Sequence, residues 1–107
     1  NSAETSTHGS LEYPLRALWR INPTRHSYAP LAFLISVPKR RLRHAVDRVA
    51  MRRRIREAFR LNRHKCELPD GIRIDLAFVY VGKGLCKYSV IEKAMLRLLS
   101  SISDSAI

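Results

Sequence analysis

The sequence predicts an α+β chain arranged as a two-layer sandwich, with helices packed on a three- or four-stranded sheet. Three observations carry this. YPLRALWRI alternates apolar and polar residues at the strand period, and LAFLISV and IRIDLAFVYV are short apolar runs bounded by turn residues. Between the second and third of these segments, residues 45–64 contain neither Gly nor Pro and form the longest helix candidate. After the third, Ile91, Met95, Leu98 and Ile102 recur at helical spacing. The order is β-β-α-β-α, and 107 residues suffice for one domain with a single modest core.

Residues 1–10 (NSAETSTHGS) offer only Ala3 for burial and are expected to be a mobile polar lead-in. The domain proper is expected over 11–103, with 104–107 as a tail. The first strand, 13–21, sends Leu15, Ala17, Trp19 and Ile21 to one face and Arg16, Leu18 and Arg20 to the other. Residues 22–30 (NPTRHSYAP) are a polar loop rich in turn formers. The second strand, 31–37, is expected to pair antiparallel with the first through that loop. Pro38 stops it, because proline brings no amide hydrogen to a ladder. ELPDG (67–71) is a turn. The third strand, 72–81, is apolar on both faces in its second half and therefore central. Ser89 and Glu92 have capping-box spacing, which places the start of the last helix at Ser89. There are no internal repeats.

Hydrophobic residues make up 46% of the chain against four Gly and five Pro, a globular rather than a low-complexity composition. The charge is the abnormal quantity. Twenty Lys and Arg face nine Asp and Glu, giving a net charge of +11, and the pI is near 10.7. Such an excess points to a polyanionic partner, nucleic acid or an acidic membrane surface. It is also concentrated: residues 39–65 hold twelve cationic side chains against Asp47 and Glu57 alone, leaving the other eighty residues nearly neutral. Cys66 and Cys86 have no metal-ligand or redox spacing and are expected to be reduced thiols. No apolar run reaches the roughly 20 residues of a membrane span, and no signal segment opens the chain. A cytoplasmic location is expected.

On a helical wheel, Met51, Ile55, Ala58 and Phe59 lie within about 100° of arc, the stripe that docks on the sheet. Arg52, Arg53, Arg56, Arg60 and Arg63 occupy an adjacent band of about the same width. A solvated helix face normally mixes signs at i,i+4. Here Arg52, Arg56 and Arg60 follow one another at that spacing and repel by a few tenths of a kcal/mol per pair, an arrangement that a partner's phosphates would neutralise. Arginine outnumbers lysine ten to two in this region, favouring bidentate phosphate contact and stacking. Lys39, Arg40 and Arg41 extend the patch into the preceding loop. The reading is nucleic-acid binding. Charge does not distinguish RNA from DNA, although no helix-turn-helix or zinc-finger spacing is present. Membrane-surface binding is disfavoured because the apolar stripe beside the arginines is needed by the sheet.

No protein catalytic site is expected. His8, His26, His44 and His64 are scattered, and Asp47, Asp70 and Asp75 do not form the carboxylate cluster of a two-metal nuclease. No metal site or bound cofactor is expected either. Trp19 and Tyr80 could stack on bases, but on alternating strands with apolar neighbours they are assigned to the core.

The run ISVPKRRLRHAVDRVAMRRRIREAFRLNR (35–63) resembles the protein subunit of bacterial ribonuclease P. That family's hallmark is a strand ending in Ser-Val-x-Lys, followed by Ala-Val-x-Arg-Asn-Arg-x-Lys-Arg-x-x-Arg-Glu-x-Phe/Tyr-Arg. Ser36, Val37, Lys39, Ala45, Val46, Arg48, Arg53, Arg56, Glu57, Phe59 and Arg60 match, with Arg52 where the family has lysine. YPLR, the DLAFVYV strand and the final helix follow in the family's order.

The resemblance implies a fold like the second domain of a small-subunit ribosomal protein, with a left-handed β-α-β crossover. It implies an accessory subunit of a ribonucleoprotein endoribonuclease whose catalytic RNA removes the 5′ leader of precursor tRNA, using magnesium held by the RNA. Carried over, Arg48, Arg52, Arg53, Arg56 and Arg60 contact RNA backbone, and the strand face with Arg16, Leu18 and Arg20 takes the leader; the protein is expected to be a monomer within the complex. The family's leading amphipathic helix has no counterpart here. Its Arg-Asn-Arg core is replaced by Arg48-Val49-Ala50, through natural variation, engineering or divergence with altered binding. A ribosome-like structural RNA binder without a role in turnover is the alternative reading.

Overall fold

A computed structural model describes residues 8–21, 31–66 and 74–106. The elements run β1 (His8–Glu12), β2 (Leu15–Ile21), β3 (Leu31–Ser36), α1 (Ala45–Asn62), a short 3-10 turn (Arg63–Lys65), β4 (Ile74–Tyr80) and α2 (Tyr88–Ala106). The expected loop 22–30 and turn 67–71 lie outside the described residues, as do residues 72 and 73 of the third strand.

The four strands form one mixed sheet in the order β1-β2-β4-β3. β4 is central, as its two-sided apolar character predicts. It pairs antiparallel with β2, from Leu15 opposite Tyr80 to Ile21 opposite Ile74. It pairs parallel with β3, from Leu31 opposite Ile74 to Ser36 opposite Val79. The expected direct pairing of the first two long strands is therefore incorrect, because β4 inserts between β2 and β3. The most buried strand gains a hydrogen-bonding partner on each edge this way, so none of its amides is left without one in the interior. The α1 segment makes the crossover between the parallel neighbours β3 and β4.

A second correction concerns the lead-in. His8–Ser10 are not a tail but the start of β1, whose register runs from His8 opposite Trp19 to Glu12 opposite Leu15. HGSLE has little apolar character of its own. It is extended because β2 offers a free edge, and Arg97 of α2 reaches Glu12 at 3.6 Å.

Both helices cover the same face of the sheet. β2 contributes Leu15, Ala17 and Trp19 to the core, β4 contributes Ile74, Leu76, Phe78 and Tyr80, α1 contributes Met51, Ile55, Ala58 and Phe59, and α2 contributes Ile91, Met95, Leu98, Leu99 and Ile102. Phe59 is the hub, with ring centroids 4.4 Å from Phe33 and 5.5 Å from Phe78. Burying a side chain such as Phe78 stabilises the fold by about 2–3 kcal/mol, and truncating it to Ala would cost about 3–5 kcal/mol. Trp19 and Tyr80 are core residues, as assigned.

The helix ends differ from expectation at α2. Lys87 carbonyl accepts from the amides of Val90 and Ile91 at 3.1 and 3.2 Å, so the helix begins at Tyr88 and Ser89 lies within its first turn. The expected capping box does not form, because Glu92 is engaged with Asn62 and Tyr88 instead. α2 also runs to Ala106, absorbing most of the expected tail.

Candidate nucleic-acid interface

The basic segment enters the fold through a tight turn. Pro38 carbonyl accepts from the amides of Arg41 and Leu42 at 3.0 and 3.3 Å, and buried Leu42 pins the turn to the core. Arg48, in the first turns of α1, folds back and donates through Nη1 to the carbonyls of both Leu42 and Arg43 at 2.9 Å. Its guanidinium thus braces the loop carrying Lys39, Arg40 and Arg41, rather than standing free among the arginines of α1. Arg54 is likewise committed, donating to Cys86 carbonyl at 2.6 Å and tying α1 to the loop before α2.

The remaining arginines of α1 divide further. Arg53, Arg56 and Arg60 are exposed and Arg52 is half-buried, so the band read from the sequence faces solvent. Arg60, however, makes a two-point ion pair with Glu57, at 3.0 Å from Nε and 2.7 Å from Nη2. Its hydrogen bond and charge hold the Glu57 carboxyl below its ordinary range, and Glu57 in turn raises Arg60. Arg63 is exposed but sits in the 3-10 turn, one residue past the helix. Val49 is exposed within the band, and nothing in the fold requires valine there.

The opposite, helix-free face of the sheet forms a second surface. Arg16, Leu18 and Arg20 alternate out of the core onto it, as the strand period predicts. Near the carboxyl ends of β3 and β4, Leu11, Leu18, Val79 and Val81 line a groove together with Arg16, Arg40, Arg41 and Tyr13. Arg40 and Arg41, read from the sequence as an extension of the α1 patch, are thereby placed beside Arg16. Arg41 Nε is shielded from solvent and has no hydrogen-bond partner. Arg20 lies further along the sheet, beside Leu18, Leu34 and Ala77, and its Nε is 3.7 Å from Asp75 Oδ2, so the two arginines of β2 are not equivalent.

The chain therefore presents an arginine-faced helix and an apolar, arginine-lined groove on an open sheet. The family model for Ribonuclease P matches residues 11–103. The chain belongs to the ribonuclease P protein family. Ribonuclease P protein components from two strains of Porphyromonas gingivalis, W83 and ATCC 33277, are each 34% identical to it over 102 residues, covering 89% of this chain and 74% of the relative. The fold matches the solved structure of the Staphylococcus aureus RNase P protein with a TM-score of 0.64 at 18% identity, over 94% of this chain and 84% of that one. As a ribonuclease P protein, the chain is the accessory, RNA-binding subunit of a ribonucleoprotein endoribonuclease and partners the enzyme's RNA.

Among the described residues no three His, Cys, Asp or Glu side chains are grouped to hold a metal ion, and no helix is long and apolar enough to cross a membrane. The ribonuclease P fold also exposes a residue that the strand reading did not single out. Tyr13 is 64% exposed at the groove, while the two aromatics weighed for stacking, Trp19 and Tyr80, are buried. By strand parity Tyr13 falls with Leu15, Ala17 and Trp19 on the core face; it is exposed because β2 begins only at Leu15 and Tyr13 lies in the turn that follows β1.

Proposed function

We propose that the protein binds the catalytic RNA of ribonuclease P through the exposed arginines of α1, with Arg52, Arg53 and Arg56 as the principal contacts. Arg60, Arg63 and Lys39 lie at the margins of that surface, and Arg48 supports it from behind. The open sheet face takes the single-stranded 5′ leader of precursor tRNA, with Arg16, Arg40 and Arg41 meeting its phosphates and Leu18 meeting its bases. Arg20, paired with Asp75, has the lesser part. The protein acts in the cytoplasm as a monomer within the complex, and the magnesium that cleavage requires is held by the RNA.

The observation that carries the assignment of two surfaces is the placement of Arg40 and Arg41 in one groove with Arg16 and Leu18, on the face of the sheet opposite both helices. Phosphate contacts supply affinity without sequence dependence, and apolar surface between them suits splayed single-stranded bases.

Reconstitution with ribonuclease P RNA tests this. Wild-type protein should accelerate cleavage of precursor tRNA at low magnesium. Arg53→Ala with Arg56→Ala should weaken assembly with the RNA, and Arg16→Ala with Arg41→Ala should selectively weaken binding of substrates with long leaders. Stimulation absent at every magnesium concentration would overturn the reading, and tight RNA binding without stimulation would leave a purely structural RNA binder.

A further inference from the structure

We infer that Tyr13 is a fixed stacking platform for one base of the single strand in the sheet groove. The inference rests on the leader assignment above and goes beyond it in naming the residue and the contact. Tyr13 is an exposed aromatic side chain that shares a groove with three guanidiniums, those of Arg16, Arg40 and Arg41. The combination of cations along a backbone path and an accessible ring is the chemistry that holds single-stranded nucleic acid, because phosphates meet the cations and any base has a face to stack.

Tyr13 is also held in place before any ligand arrives. Its hydroxyl accepts from the Lys83 amide at 3.3 Å, and the adjacent Pro14 carbonyl accepts from the Val81 amide at 2.8 Å. Gly82 lies between those two amides. A Cβ there would come within 2.9 Å of Pro14 Cβ and 2.7 Å of Tyr80 Oη, so glycine permits the close approach of the 81–83 loop to the Tyr13–Pro14 turn. The hydroxyl is thus used for positioning, and the π face is left for contact. A ring ordered in advance loses less conformational freedom on binding than a mobile one. The occupant is a single strand rather than a duplex, since a base must be unstacked from its neighbours to lie on a ring.

The test uses the reconstituted holoenzyme with precursor tRNA carrying 2-aminopurine at successive leader positions, and a matched substrate with the leader removed. With wild-type protein one leader position should be quenched. Tyr13→Phe should retain the quench, whereas Tyr13→Ala and Tyr13→Leu should abolish it and weaken long-leader binding by roughly tenfold, leaving the leaderless substrate unchanged. Tyr13→Leu keeps an apolar side chain and Tyr13→Phe keeps the ring, so a merely structural contribution is separated from stacking; thermal melts of each variant accompany the measurement. If Arg16→Ala weakens leader-dependent binding but the quench survives Tyr13→Ala, the groove stands and the platform is overturned. Equal loss in Tyr13→Phe and Tyr13→Ala would also overturn it, because the hydroxyl tether alone would then matter. If neither Arg16→Ala nor Tyr13→Ala affects leader-dependent binding, the leader assignment itself fails and takes the platform with it.

Discussion

Asn62 Nδ2 donates to Glu92 Oε2 at 3.0 Å, joining the end of α1 to the first turns of α2. The same amide group also donates to Ala58 carbonyl at 2.9 Å, and Tyr88 hydroxyl approaches Glu92 Oε2 at 3.4 Å. Asn62 is the buried polar residue among the described core, so its donors are shielded from water and need these partners. Asn62→Ala is predicted to destabilise the protein by about 1–3 kcal/mol, the cost of losing the hydrogen bond to half-buried Glu92 and leaving a gap in the packing. Urea unfolding of Asn62→Ala, Glu92→Ala and the double variant checks this. Strictly additive losses would show that the two side chains do not act together.

Arg48 and Arg53 should separate stability from binding. Arg48→Ala removes both hydrogen bonds to the loop carbonyls and is predicted to lower thermal stability by about 1–3 kcal/mol, with little change in the salt dependence of RNA binding. Arg53→Ala should leave the melting temperature unchanged and reduce the magnitude of the log–log salt slope by about 0.7–0.9, one phosphate contact. The reverse pattern would return Arg48 to the RNA-contacting set.

On the proposed RNA surface, Glu57 would compete with phosphate for Arg60, which it already holds in a two-point ion pair. Glu57→Gln is predicted to tighten RNA binding several-fold at low salt and to steepen the salt slope, since one guanidinium becomes available and one repelling charge is lost. The pH dependence has a definite sign. Because the folded carboxyl is held below its ordinary range, the pair's contribution is present above the unfolded Glu value and is lost only as pH falls through the lowered one. RNA affinity should therefore gain nothing from this pair between about pH 7 and pH 5. A Glu57-dependent rise in affinity over that window would contradict the assignment.

Cys66 is buried, and desolvation pushes its thiol above the ordinary value. Its native-state alkylation should be slow at pH 8 and should accelerate only at higher pH than a model thiol. The linked effect on stability is that the protonated thiol's contribution is complete below the unfolded cysteine value and declines as pH rises toward the folded one. Rapid alkylation of Cys66 at neutral pH, read by mass spectrometry of the digested protein, would refute this.

Val49 lies exposed within the arginine band and Ala50 is half-buried beside it, so Val49→Asn combined with Ala50→Arg should keep the fold, because a long arginine stem can carry its guanidinium out to solvent. The added guanidinium is predicted to steepen the RNA salt slope by up to about one phosphate contact. An unchanged slope and an unchanged rate in reconstituted cleavage would show that this part of α1 does not face the RNA.

The sequence by itself determined the fold class, the centrality of β4, the docking stripe Met51–Ile55–Ala58–Phe59 and the division of β2 into a core face and an arginine-bearing face. These follow from periodicity, because a helix or strand fixes which of its own residues share a side. The motif in 35–63 also determined the family. Tertiary structure alone decided that β4 separates β2 from β3 and that HGSLE becomes an edge strand, since both depend on which free edge is available after collapse. It alone decided the fate of each arginine: Arg48 and Arg54 turn inward to carbonyls, Arg60 pairs with Glu57, and Arg40 and Arg41 cross to the groove beside Arg16 and Tyr13. The physical reason is reach. A guanidinium on a long flexible stem can satisfy its donors at partners far along the chain, and only the folded arrangement sets which partner lies within hydrogen-bonding distance.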